Sequence, residues 1–172
     1  MEKNFVIEIV PFRPENQEPV RNLILAGLKE YWGRLDESKN PDLKNIAASY
    51  QKGIFLTAWL DHEIVGTGAF IPGSVESVEI VRMSVARDLR GQGIGQQLLV
   101  ELCGRAYQLG YKQVILETTA TWHKAIAFYK TFGFQITHYS DGDVYFALDL
   151  QDFFENKLSS LSQKRLNNNR RT

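Results

Sequence analysis

The stretch Val81-Arg82-Met83-Ser84-Val85-Ala86-Arg87-Asp88-Leu89-Arg90-Gly91-Gln92-Gly93-Ile94-Gly95 constrains this chain more than any other. It reads as the end of a strand, a glycine-rich turn and the start of an amphipathic helix. The glycines let the backbone fold tightly, so that several amide N–H groups can converge on one anion. A helix N-terminus adds donors without intrahelical partners and the positive end of a dipole. Arg90 supplies a full positive charge beside them. A phosphate or pyrophosphate suits this arrangement. The alternative is an ordinary strand-to-helix turn, but a simple cap needs one glycine and here three alternate.

Two familiar phosphate patterns fail. No Gly-Lys-Ser/Thr follows, so this is not a Walker loop. Gln96 stands where the third glycine of a dinucleotide GxGxxG motif would be. Glu117, near the end of the next strand, could mimic that motif's ribose-binding acid, which keeps a dinucleotide-binding module as an alternative. However, the loop follows the fourth expected strand, whereas such a fingerprint normally follows the first.

The surrounding pattern is α/β. Phe5 to Val10 alternates as a strand, and a helix carrying Val20, Leu23, Ile24 and Leu28 ends near Gly33. A second helix is expected from Pro41 to Lys52, behind an Asn40 cap. The period then switches to two, giving strands Ile54 to Leu60, Glu63 to Ile71 and Ser77 to Val85 as an antiparallel meander. A helix from about Gly93 to Leu109 carries Ile94, Leu98, Leu99, Leu102, Cys103, Ala106 and Leu109 on one stripe, stopped by Gly110. Strand Tyr111 to Glu117 and helix Trp122 to Phe132 follow. The strands Phe134 to Tyr139 and Val144 to Leu150 flank an Asp141-Gly142 hairpin turn. Residues 151–163 suggest a last helix, and 167–172 a frayed end.

Composition narrows the function. Twenty basic residues balance twenty acidic ones, which makes nucleic acid an unlikely partner, although residues 151–172 carry a net +3. No apolar run reaches the roughly 20 residues of a membrane span. One cysteine, Cys103, excludes an internal disulfide, and the scattered histidines form no metal pair. The expectation is one domain over 1–150 with a helical, partly disordered basic tail over 151–172, in a reducing cytoplasm, with no metal. No acidic cluster that would demand a polycationic substrate is visible in the linear order.

Arg90-Gly91-Gln92-Gly93-Ile94-Gly95 resembles the Q/R-x-x-G-x-G/A signature of the GNAT superfamily of acyl-CoA N-acyltransferases. Glu79-Ile80-Val81-Arg82-Met83-Ser84-Val85 resembles the strand that enters that loop. Leu116-Glu117-Thr118-Thr119 and Ala125-Ile126-Ala127-Phe128-Tyr129-Lys130-Thr131-Phe132-Gly133-Phe134 resemble the family's later strand and helix. The resemblance covers residues 5 to 150. It implies a mixed, mostly antiparallel sheet flanked by helices, with two strands splayed near the cofactor. It implies acetyl transfer from acetyl-CoA directly to a primary amine of a small molecule, peptide or protein, with a homodimer left open. The pyrophosphate would rest on the amides of Gly91, Gln92, Gly93, Ile94, Gly95 and Gln96 with help from Arg90. The pantetheine arm would run along Met83, Ser84 and Val85.

The same resemblance gives Glu79 the role of general base and Tyr129 that of general acid toward the thiolate. An ammonium cannot attack a thioester, so a base is required. Alternation would put Glu79, Val81, Met83 and Val85 on one, otherwise apolar, side and raise the carboxyl's pKa. The residues alone leave two alternatives open: a Glu paired with an Arg, and a core tyrosine with a satisfied hydroxyl. Trp122 departs from the family, where many members carry a cofactor-contacting Asn; Thr119, Thr121 or His123 could take over that contact. Cys103 falls on an apolar stripe and reads as packing. Tyr31, Trp32, His138 and Tyr139 are candidates for lining the amine site. A non-catalytic CoA-binding module would keep the loop and lose the acid and base.

Overall fold

A computed structural model describes residues 6–157. Seven strands form one sheet: β1 (Glu8–Pro11), β2 (Ile54–Leu60), β3 (Glu63–Pro72), β4 (Ser77–Val85), β5 (Gln113–Thr119), β6 (Gln135–Ser140) and β7 (Asp143–Asp149). Their order is β1-β2-β3-β4-β5-β7-β6, antiparallel throughout except for the β4–β5 pair. The helices are α1 (Gln17–Trp32), α2 (Ile46–Ser49), α3 (Ile94–Gln108) and α4 (His123–Phe132). Part of the first expected strand and of the tail, including residues 164–172, lies outside the described residues.

Two apolar layers sandwich the sheet. On one face α3 and α4 bury Leu98, Leu99, Leu102 and Tyr129 against Leu56, Phe70, Val78, Val114 and Phe146. Gly66 and Gly68 let α3 lie close, since a Cβ on Gly68 would stand 2.7 Å from Met83 Sδ and 3.0 Å from Leu102 Cδ1. On the other face α1 and the 35–50 segment bury Val20, Ile24, Leu43 and Ile46 against Phe55, Ala69 and Val81. Helix α1 stops where Gly33 turns left-handed (φ 67°) and its amide bonds Lys29 O at 2.8 Å. The chain is helical again from 150 through 157, where Phe153 stacks on Phe132 at 5.1 Å.

The second helix is the main departure from the sequence pattern. In place of one helix over 41–52 there are two 3₁₀ turns, Glu37–Lys39 and Pro41–Lys44, and the four-residue α2. Asn45 takes extended backbone (φ −148°, ψ 89°) and caps Ala48 N with its side chain at 3.0 Å, which divides the segment. Asp42 is engaged elsewhere, accepting two bonds from Arg82 at 2.9 and 2.5 Å and one from Tyr50 Oη at 2.6 Å. The Arg82 guanidinium and this hydrogen bonding hold the Asp42 carboxyl below its usual range, against the opposing effect of burial.

Arg82 also bends β4. It is a non-glycine residue at φ 55°, and the β3–β4 register shifts between Thr67 and Ala69 across from it. Thr67 Oγ1 donates to Arg82 O at 2.8 Å, which satisfies the bulged carbonyl. Val81 and Arg82 consequently both face α1 and the 35–50 segment, and the alternation reverses beyond them. Arg82→Ala leaves Asp42 half-buried without its cation, so unfolding free energy should fall by roughly 2–3 kcal/mol. Urea denaturation measures this; an unchanged midpoint contradicts it.

Candidate active site

Strands β4 and β5 pair over three residues, Ser77–Glu79 against Gln113–Ile115, and then part. Beyond Glu79, the β5-facing edge of β4 has no strand partner among the described residues. The slot so formed has backbone donors and acceptors along one wall. An extended chain can satisfy these as an added strand would. Met83, Ser84 and Val85 belong to this unpaired stretch of β4. Val85 O already accepts Arg90 Nε at 3.0 Å. The expectation that Glu79, Val81, Met83 and Val85 share a side is overturned by the Arg82 bulge. Glu79 and Val81 face the α1 layer, whereas Met83 and Val85 pack toward α3.

At the open end of the slot the glycine turn enters α3. Gly91 and Gly93 hold φ 77° and 83°, and Gly93 is the helix N-cap without a side-chain cap bond. Intrahelical bonding begins with Gln97 N to Gly93 O at 3.0 Å, which leaves the preceding amides of the first turn as donors. Gly91, Gln92, Gly93 and Gln96 are exposed, while the Ile94 side chain is buried in the core and Gly95 packs toward Phe128. A Cβ at Gly91 or Gly93 would meet nothing within 4 Å. The glycines therefore supply the left-handed backbone and bare approach to the amides, not room inside the fold.

Arg90 is not free above this loop. It pairs with Glu30 of α1 at 2.9 Å in addition to holding Val85 O. That hydrogen bond, more than any other interaction, keeps the Glu30 carboxyl below its usual range. A cavity of about 420 Å³ lies between α1 and the end of β4, lined by Gly27, Glu30, Val85, Ala86, Arg87 and Arg90. Arg87, which sequence reading passed over, thus stands at the same mouth as Arg90.

The two titratable candidates lie on opposite faces of the sheet. Glu79 lies at the slot's vertex, half-buried on the α1 side. Burial first, and the nearby Glu117 second, raise its carboxyl above the ordinary range. Tyr129 comes from α4 on the other face, 9% exposed, with Phe134 and Phe146 rings each 5.8 Å away. Burial, with a smaller influence from Tyr31, pushes its phenol well above the usual tyrosine range. Cys103 is fully buried and its thiol is pushed up to about 12, so it offers no thiolate.

Glu117 is the residue whose role the linear sequence hid. It sits opposite Tyr145 on β7, where its carboxylate raises the Tyr145 phenol above the usual tyrosine range, while His138 stacks on Tyr145 at 4.3 Å and 7°. These side chains come from three strands and meet only in the sheet. Of the other amine-site candidates, Tyr31 and Trp32 stack around Trp122, whereas Tyr139 is 63% exposed at the far edge strand. The dinucleotide reading loses its support, since the sheet is antiparallel at all but one pair and not the parallel sheet that such a fingerprint belongs to.

Among the described residues no group of three or more His, Cys, Asp or Glu could hold a metal ion. No described helix is long and apolar enough to cross a membrane.

Comparison with known proteins fits this geometry. Over 119 residues the chain is 32% identical to Probable N-acetyltransferase 14 of Xenopus tropicalis, a match covering 67% of this chain and 55% of that protein. The chain thus spans about half the length of that curated relative. A GNAT-family acetyltransferase from Staphylococcus aureus Mu50 shares the fold at TM-score 0.78 and 24% identity, over 84% of this chain and 99% of that one. PaiA N-acetyltransferase from Thermoplasma acidophilum, solved in complex with coenzyme A, does so at 0.75 and 18%, over 84% and 99%. Residues 18–134 match the model of the acetyltransferase (GNAT) family. With a match running from α1 through the parted strands to the end of α4, this protein belongs to the GNAT acetyltransferase family.

Proposed function

We propose that the protein transfers an acetyl group from acetyl-CoA to a primary amine of a small molecule or peptide by direct attack. The observation that carries this reading is the slot between β4 and β5, with a carboxyl at its vertex on one face and a phenol on the other. Amides of residues 91–96 hold the pyrophosphate, and Arg87 and Arg90 contribute positive charge. The β4 edge over 83–85 pairs with the pantetheine arm. Glu79, directly or through water, takes a proton from the attacking ammonium. The nitrogen forms its bond to the acyl carbon as the carbon–sulfur bond breaks, Tyr129 protonates the departing thiolate, and the proton that the nitrogen sheds on becoming an amide restores the phenol through water.

The buried Cys103 supports direct transfer over an acetyl-enzyme, because a thiol with so high a pKa is a poor nucleophile. A single cysteine also suits a reducing cytoplasm. Phe153 and Phe154, past the expected domain end at residue 150, pack on the main core. The decisive assay is acetyl-CoA-dependent thiol release against a panel of amines. Turnover of one or more amines supports transfer; tight CoA binding without any turnover supports a non-catalytic CoA module.

Gly93→Val tests the cofactor loop. Valine is strained at φ 83°, by about 1–2 kcal/mol. Its side chain would also project from the N-cap that the pyrophosphate must approach. CoA affinity measured by calorimetry should fall at least about 10-fold, on the scale of 1.4 kcal/mol per decade. Unchanged affinity puts the pyrophosphate elsewhere.

A further inference from the structure

Tyr31 and Trp32 end α1 with 43% and 57% of their surfaces exposed. Tyr31 nevertheless stacks on Trp122, with centroids 4.2 Å apart and planes at 23°, and Trp32 leans on the same indole at 5.4 Å and 55°. The location of this cluster matters more than its area. Helix α1 rides on β4, where a Cβ on Gly27 would stand 3.2 Å from Ser84 Oγ, and Arg90 ties it to the end of that strand. Trp122 follows β5 and is the N-cap of α4. The ring stack therefore runs from the β4 side of the slot to the β5 side at its open end. Two further couplings cross the same gap. Lys124 of α4 helps lower the Glu30 carboxyl of α1, and the Tyr129 phenol senses Tyr31.

We propose that the Tyr31–Trp122 stack, edged by Trp32, is the outer wall of the acyl-donor slot and contacts the acyl-pantetheine arm. The inference rests on the reading that the slot takes an acyl-CoA. It assigns Trp122 a role that a hydrogen-bond acceptor could not fill, since an indole offers a broad apolar face and one donor. The arm lies between this wall and Tyr129, whose hydroxyl has no hydrogen bond among the described residues. A wall of exposed aromatics covers the reacting thioester when the arm is present and excludes water from it.

Tryptophan emission reads this directly, because two of the three tryptophans are in the cluster. Trp59→Phe removes the third. In that background, CoA and adenosine 3′,5′-bisphosphate, which lacks the arm, are titrated by calorimetry and by fluorescence. CoA should shift the emission with the calorimetric midpoint, whereas the bisphosphate should bind and leave it unchanged. Trp122→Ala should weaken CoA by about 3- to 10-fold, the scale of one aromatic contact, and leave the bisphosphate affinity as it was. Trp122→Phe, which keeps a ring face, should recover most of the loss. Tyr31→Ala, at an exposed position, gives the same comparison should Trp122→Ala fail to fold. CoA binding with silent emission, or equal losses for both probes, overturns the wall while leaving the donor reading intact. A folded protein that binds neither probe overturns the donor reading and the wall with it.

Discussion

Tyr129→Phe is expected to lower turnover by about 10²–10⁴-fold, the usual cost of losing one general acid, while acetyl-CoA affinity stays near its original value. The asymmetry follows from where the hydroxyl acts: negative charge on sulfur develops in the transition state and is absent from the bound thioester. The substitution removes one oxygen and keeps the ring among Phe128, Phe134 and Phe146. No hydrogen bond to that oxygen is lost among the described residues, so the melting temperature should hardly move. Burial disfavours the phenolate, so the group keeps its proton throughout the neutral and mildly alkaline range. The rate deficit should therefore be uniform across that range, with no reshaping of the alkaline limb. Wild-type turnover in the variant would make Tyr129 a core tyrosine and leave the thiolate to water.

Tyr129 also illustrates what a linear reading can carry. The α3 stripe, the α4 stripe and the Asp141-Gly142 turn are local patterns, and each formed where its residues said it would, save that the expected last stripe residue, Leu109, caps α3 and is 63% exposed. Even the parting of β4 and β5 could be anticipated, although from the family resemblance and not from periodicity. What failed has one physical origin: side chains that spend their hydrogen-bonding capacity on distant partners. Asp42 and Asn45 look like helix residues in isolation, but one clamps Arg82 and the other caps a later turn. Arg82 in left-handed backbone has no sequence signal, because the conformation is usually glycine's; its bulge reversed the faces of Met83 and Val85. Arg90 read as a free phosphate cation, yet Glu30, sixty residues away, holds it. Glu117 with Tyr145, and Tyr31 with Trp122, become neighbours only through the sheet order and the lie of α1.

Glu79→Gln should cost activity on the same scale as loss of the acid, about 10²–10⁴-fold, and should also change how the protein responds to pH. In the folded protein burial and Glu117 raise the Glu79 carboxyl above its ordinary value. Two consequences share that sign. First, the base is deprotonated only above the raised value, so the acid limb of the wild-type rate profile sits above the ordinary carboxylate range. Glu117→Gln removes the neighbouring charge, favours the ionised base and should move this limb to lower pH; Glu79→Gln should abolish it. Second, the fold binds the Glu79 proton more tightly than the unfolded chain does. The contribution of Glu79 to stability is therefore fullest below its ordinary value and is lost as pH rises through the raised one. At neutral pH the ionised carboxylate is a burden on the fold that glutamine does not impose. Glu79→Gln should accordingly melt no lower than wild type at neutral pH while losing most of its turnover. A structural Glu, paired or hydrogen-bonded for stability, predicts the opposite combination: lower melting with activity retained. Turnover and melting curves measured on one preparation decide between the two.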